Sequence, residues 1–363
     1  MEQVKRKKIS RVGSGAFSLY IPKKWIDGWT PAQQEEREVD LHEINESLLL
    51  TPVIRDRTLT RTIPDDVAVV QRTLLSGYLR GLQEVELTPE TEFGSASQSE
   101  ARRLLRHLDE HIIATCKPNK IGFHVNPDIA PAASDHRGLL LLMGAKVHDS
   151  LVMAQEAVES YGDDVAKTIH SLQMLVANHE EDVARMFFQS GRLVANLELP
   201  LNAVSDFQLL GLATADFYRM SLHTMAIAAA VMETYGLTMD DLAYPADHVA
   251  TKAHAELSDI ARDISRSYRS AFKDARNLFD ELLQGLTKGD MDVLAGISDQ
   301  ATEASNRMQG RIFTTIQHHW GRGVEPQDAL TTFNAYRISI PLGSFMGAAK
   351  VLAGHAMAFL EAQ

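Results

Sequence analysis

Seven Lys/Arg fall between Lys5 and Ile26: Lys5, Arg6, Lys7, Lys8, Arg11, Lys23 and Lys24. No Asp or Glu stands between Glu2 and Asp27. The 363-residue chain nevertheless carries a formal charge of -12. A basic cluster on an acidic body matches a polyanion, because Lys and Arg neutralise phosphates and release their counterions; DNA is the commonest such partner. Lys5, Lys7, Lys8, Arg11, Lys23 and Lys24 are the expected phosphate contacts, with the Ser14 and Ser18 hydroxyls as minor hydrogen-bonding groups. Such contacts position a nucleic acid without reading its sequence. The plainer alternative is a patch that only solubilises the chain or anchors a dimer.

Other chemistry-bearing patterns dissolve on inspection. His107-Leu108-Asp109-Glu110-His111 matches the H-x-x-E-H arrangement of inverted zinc peptidases, but no downstream ligand helix follows it. Gly13-Ser14-Gly15 lacks the G-K-[ST] continuation of a phosphate loop. His179 falls on an apolar seam and reads as a hydrogen-bonded core histidine. No nucleophile–base set stands out, so an enzyme is not expected.

The composition, 45% hydrophobic and 23% charged, can bury real cores. The single cysteine, Cys116, allows no intrachain disulfide and fits a reducing, cytoplasmic setting. No apolar stretch follows the basic N-terminus, so no secretory signal is expected. Ile338 to Leu360 is long and apolar enough to raise a membrane span. However, Pro341, Lys350 and His355 interrupt it and no basic cluster flanks it, so it reads as a buried bundle helix.

These residues need elements to hold them. In residues 1–55, Lys7–Val12 and Phe17–Ile21 read as strands around a glycine turn, and Pro22 opens a short helix over Lys23–Asp27. Glu38–Ile44 and Ser47–Val53 read as two more strands. Residues 56–126 read as a small βαβαβ domain with a parallel sheet. Its helices are expected over Asp65–Arg80, with Gly81 after the end, and from a Ser97/Glu100 capping box to His111. Residues 126–135 read as a linker and hinge.

From Asp135 onward the pattern is helical. Val165, Ile169, Leu172, Val176, His179, Val183, Met186, Ser190 and Leu193 repeat at alternating spacings of 4 and 3, predicting one long helix over Asp163–Asn196. Similar seams run from Leu257 to Leu282 and from Leu294 to Arg311. Tyr218-Arg219-Met220-Ser221-Leu222 is echoed by Tyr336-Arg337-Ile338-Ser339-Ile340, and Arg185-Met186 by Arg307-Met308. The echoes predict two related bundles, 135–243 and 247–363.

Residues 7–25, KKISRVGSGAFSLYIPKKW, resemble the opening of the SpoVT/AbrB family: basic strand, glycine turn, alternating strand, then P-K-x-W. The resemblance implies a swapped-hairpin β-barrel built by two chains that binds DNA, hence a homodimer. A longer polar run, Gly28–Arg37, stands where that family has a short connection. The two helical repeats resemble PhoU domains, three-helix bundles of phosphate-uptake regulators. The order of parts resembles archaeal-type phosphate uptake regulators over nearly the whole chain. The expected architecture is therefore multidomain and mainly α: a barrel, a small α/β segment and two three-helix bundles. The expected function is DNA-binding regulation of phosphate uptake, with the bundles sensing or docking a transporter ATPase or a signalling protein. The alternative is an adaptor that has lost DNA binding and uses its N-terminal unit only to dimerise.

PhoU domains commonly hold metal clusters on carboxylates at i, i+4. Glu180 keeps the first such carboxylate, but Ala184 replaces its partner. Tyr218, Asn306, Tyr336 and Ile340 stand at other ligand places. Glu180, Glu181 and Asp182 remain as metal candidates and read as a solvated face. No cofactor is expected.

Overall fold

The computed structural model describes residues 10–12, 16–18, 23–27, 39–44, 47–52, 57–108, 112–125, 136–161, 163–196, 204–253, 259–320, 333 and 336–360. The chain divides into two compact units, Met1–Arg57 and Thr58–Gln363.

In the first unit, β1 (Ser10–Val12) pairs antiparallel with β2 (Ala16–Ser18), placing Arg11 opposite Phe17. A single turn of helix, α1 (Lys23–Ile26), follows. Then β3 (Val39–Ile44) and β4 (Ser47–Pro52) form a hairpin across Asn45-Glu46, with Ile44 opposite Ser47. The expected order of elements is present. The barrel is not: the described strands of one chain form two separate pairs. Two-stranded ribbons leave their edges unpaired, so closing a barrel needs strands beyond the described ones.

The second unit begins with β5 (Thr58–Ile63), α2 (Val67–Leu79), β6 (Glu84–Pro89), α3 (Ser95–Leu108), β7 (Ile112–Lys117) and β8 (Lys120–Val125). The sheet order is β5-β6-β8-β7. Only β5 and β6 run parallel; β8 is antiparallel to both neighbours. The expected βαβαβ parallel sheet is therefore a mixed one with an additional edge strand, β7. That strand faces solvent for much of its length, with Ile113 62% exposed, so it lacks the apolar alternation that reveals a half-buried strand. At Gly122 in β8 an added Cβ would lie 2.0 Å from the Val85 carbonyl oxygen, so only glycine permits this approach of the strands. Gly81, at φ 76°, ends α2 as expected.

The Ser97/Glu100 capping box does not form. The α3 helix begins at Ser95, and Ser97 lies buried within it. Its start is capped from a distance instead. Asp65 accepts from the Gly94 amide (2.9 Å) and the Ser97 hydroxyl (2.5 Å). Capping a helix from 29 residues away is invisible to a local motif.

The remainder is helical: α4 (His136–Glu159), α5 (Val165–Ala177), α6 (Ala184–Asn196), α7 (Val204–Thr234), α8 (Ala246–Ala250), α9 (Asp259–Lys288), α10 (Met291–Trp320) and α11 (Ser339–Leu360). The long helix expected over 163–196 is not uniform. Asn178–Val183 is π-helical and joins α5 to α6. Its bonds, each from an N–H to the carbonyl five residues earlier, admit an extra residue. Just upstream, Leu175 is buried where the even 3.5 spacing put Val176. Buried Asn178 is satisfied there, donating to the Lys146 carbonyl (2.8 Å) and the Ser150 hydroxyl (2.7 Å).

Asp164 and Asp290 cap the second helix of each repeat, accepting from the amides of Lys167 and Val293. Between repeats, α4 packs on α9 and α7 on α11, first helix against first and third against third. One continuous core spans both repeats, with Phe279 at its centre against Phe217 and Phe345. Across the α7–α11 seam the buried Asp216 carboxylate accepts from His355 Nδ1 (2.9 Å) and Arg219 (3.0 Å). The apolar stretch ending the chain is α11, buried along Leu342, Phe345, Met346, Ala349, Leu352 and Ala356. Among the described residues no helix is long and apolar enough to cross a membrane.

Candidate anion-binding surfaces

Of the residues expected to meet DNA, Arg11 lies in β1 and Ser18 in β2, on one antiparallel ribbon. Lys23 and Lys24 open α1, and Lys23 is exposed. Lys5, Lys7, Lys8 and Ser14 lie outside the described residues, as does the 126–135 hinge.

The metal candidates fall on the π-helical segment. Glu181 is exposed, and Asp182 pairs with Lys146 at 2.8 Å. Because the segment winds with i→i+5 bonds, residues four apart no longer stack over one another. Among the described residues, no three of His, Cys, Asp and Glu gather closely enough to hold a metal ion. His107, in the last turn of α3, lies near His179 across the α/β–helix boundary. His179 is a core residue as expected: it shares a 2.8 Å hydrogen bond with the Ser221 hydroxyl and stacks on Tyr218. Burial, with a smaller contribution from His107, lowers its pKa to about 4.

A feature the sequence reading missed lies on the second repeat. Between α9 and α10, with the end of α4 at its rim, opens a cavity of about 1310 Å³. Six cations line it: Arg266, Arg269, Lys273 and Arg276 from α9, and Arg307 and Arg311 from α10. Only two carboxylates do so, Glu159 and Asp280. The helical repeat explains the alignment, since spacings of three and four residues place side chains on one face.

Half of these cations have carboxylate partners. Arg269 meets Glu159 at 3.5 Å, Arg266 meets Asp263 at 3.6 Å, and Arg307 meets Asp274 and Glu303 at 3.4 and 3.2 Å. The others do not, among the described residues. Arg276 donates to the Gln155 amide oxygen (3.3 Å), Arg311 donates to the Ser270 hydroxyl, and Lys273 is exposed without an ion pair. The spacing of these residues was readable. However, Arg311 was assigned to the apolar seam, whereas Ile312 takes that buried place.

In the first repeat the matching face is covered by other elements. The offset of the Arg185/Arg307 echo pairs Phe188 and Arg192 with Gly310 and Thr314. In repeat one this face of α6 is covered by α2 and α3. Phe188 joins the α/β core, while buried Arg192 donates to the carbonyls of Tyr78 (3.4 Å) and Leu82 (3.2 Å) and sits 4.9 Å over the Tyr78 ring. At the C-terminal end of α2 the guanidinium adds a donor to the Tyr78 carbonyl, which also accepts from the Gly81 amide, and meets the Leu82 carbonyl just past the helix. The corresponding face of repeat two borders the cationic groove.

No protein-family model matches this sequence, and no curated protein aligns with it significantly.

Proposed function

We propose that this chain is a DNA-binding regulator of phosphate uptake, with the paired helical bundles as its sensing or partner-docking body. The observation that carries the reading is the basic segment from Lys5 to Lys24 on a chain of net charge -12. Its order, ribbon then helical turn then hairpin, supports the same reading. In the proposed assembly a second copy supplies the strands that close the barrel. The cations of both copies then face the phosphate backbone. The bundles, which resemble those of phosphate-uptake regulators, would relay the state of a transporter ATPase or a signalling protein.

Binding of the full chain to its own and to transporter promoters tests this. Lys7→Glu/Lys8→Glu removes two cations and adds two anions; binding should fall steeply and the salt slope should shrink. Each phosphate neutralised contributes about 0.9 to the slope of log K against log salt. Unchanged binding in that variant, or a flat slope in the parent, overturns the DNA reading and leaves the adaptor. Sedimentation of a monomer overturns the two-chain barrel.

A further inference from the structure

We infer that the groove between α9 and α10 is a binding site for a small anion carrying several phosphate groups, separate from the basic N-terminal segment. The inference does not depend on DNA binding by residues 5–24.

Three observations lead to it. First, Lys273, Arg276 and Arg311 face a common space without carboxylate partners among the described residues, on a protein whose overall charge is acidic. Such an arrangement repels itself and raises the local concentration of anions. Second, the chemistry around the cations suits phosphate oxygens. Arginine presents a planar fork of donors that matches phosphate in bidentate fashion. The Ser270 hydroxyl and the Asn277 and Asn306 amides line the same space, while the Ser267, Thr314 and Thr315 hydroxyls there donate to backbone carbonyls. Third, the cations extend along α9 from Arg266 to Arg276, about 15 Å at 1.5 Å per residue. One phosphate cannot engage that row, whereas a chain of phosphates, or a ring bearing several, can.

The comparison between repeats explains why the groove is open. The α/β segment covers the corresponding face of repeat one, where buried Arg192 spends its donors on protein carbonyls. Repeat two carries Thr314 at that position, so no guanidinium stands there, and the nearby Arg276 and Arg311 meet only the neutral Gln155 and Ser270 side chains among the described residues. Opposite charge on a multivalent ligand supplies what the α/β carbonyls supply on the other side.

The test is calorimetric titration of the full chain with inorganic tripolyphosphate, with orthophosphate as a parallel titrant. Saturable tripolyphosphate binding that weakens with salt and exceeds orthophosphate binding is expected. Lys273→Glu/Arg311→Glu should abolish it, and Lys273→Gln/Arg311→Gln should weaken it by about tenfold or more for each cation removed. Lys7→Glu/Lys8→Glu should leave it intact. A thermal melt checks that each variant is folded, and the neutral pair decides if charge reversal unfolds the chain. Absence of saturable binding overturns the inference. So does binding that survives the groove changes and disappears with the Lys7/Lys8 change. Loss of duplex DNA binding in the groove variants, without tripolyphosphate binding in the parent, also overturns it and makes the groove a nucleic-acid track.

Discussion

At the scale of single residues, burial holds His179 neutral, with its pKa near 4 against an ordinary value of 6.5. Between those values the unfolded chain binds a proton that the folded chain does not, so stability rises with pH across the window. The contribution is fully present above about 6.5 and is lost as pH falls toward 4. At about 1.36 kcal/mol per pKa unit it amounts to about 3 kcal/mol. Urea denaturation from pH 7 to pH 4.5 should show this slope, and His179→Gln should flatten it while keeping a partner for Ser221. His223, whose pKa burial also lowers, leaves a residual slope of the same sign. An unchanged slope in the variant would show that folding does not lower the pKa of His179. The sequence placed this histidine correctly because an apolar seam surrounds it at i±3 and i±4. It did not reveal Ser221, which lies 42 positions away.

At the scale of elements, the α/β segment is fastened to α6 by Arg192 rather than merely tethered by residues 126–135. Removing a buried guanidinium leaves the Tyr78 and Leu82 carbonyls without that donor and opens a gap beside the Tyr78 ring. Arg192→Ala should therefore destabilise this contact by about 2–3 kcal/mol. Hydrogen exchange should show it as faster opening at the end of α2 and along α6, with α9–α11 unchanged. Equal acceleration throughout would mean that the segment and the bundles open together. Helices were readable here because a buried stripe recurs within every few residues. The β7 strand was not, because an edge strand buries little and its pairing with β8 is decided by neighbours. The Ser97 cap failed for a related reason: Ser-x-x-Glu is a local pattern, and Asp65 competes for it from another element.

At the scale of the whole helical body, the two repeats share a core and should unfold as one. Phe279 sits where α4, α7, α9 and α11 meet, packed on Phe217 and Phe345 and stacked with His148. Phe279→Ala should cost about 3–5 kcal/mol. Chemical denaturation followed by helical signal should keep a single transition for the body, shifted to lower denaturant. Two separated transitions would show that the repeats are independently stable. The same fusion exposes the difference between the repeats: one face holds the α/β segment, and its counterpart opens into a basic groove.

The sequence by itself determined that the chain from about residue 135 is helical, the core position of His179, the burial of the last helix and the basic opening segment. Each is a property of residues close together in the chain, where periodicity of 3.6 or 2 decides which side is buried. The tertiary structure alone decided the mixed sheet, the trans-capping by Asp65, the Arg192 clasp and the cationic groove. Those depend on which faces of distant elements meet. Lys273 and Arg311 stand 38 positions apart and share a cavity only because α9 and α10 pack antiparallel in one register. That register is set by the packing of the whole core, and no short stretch of the chain carries it.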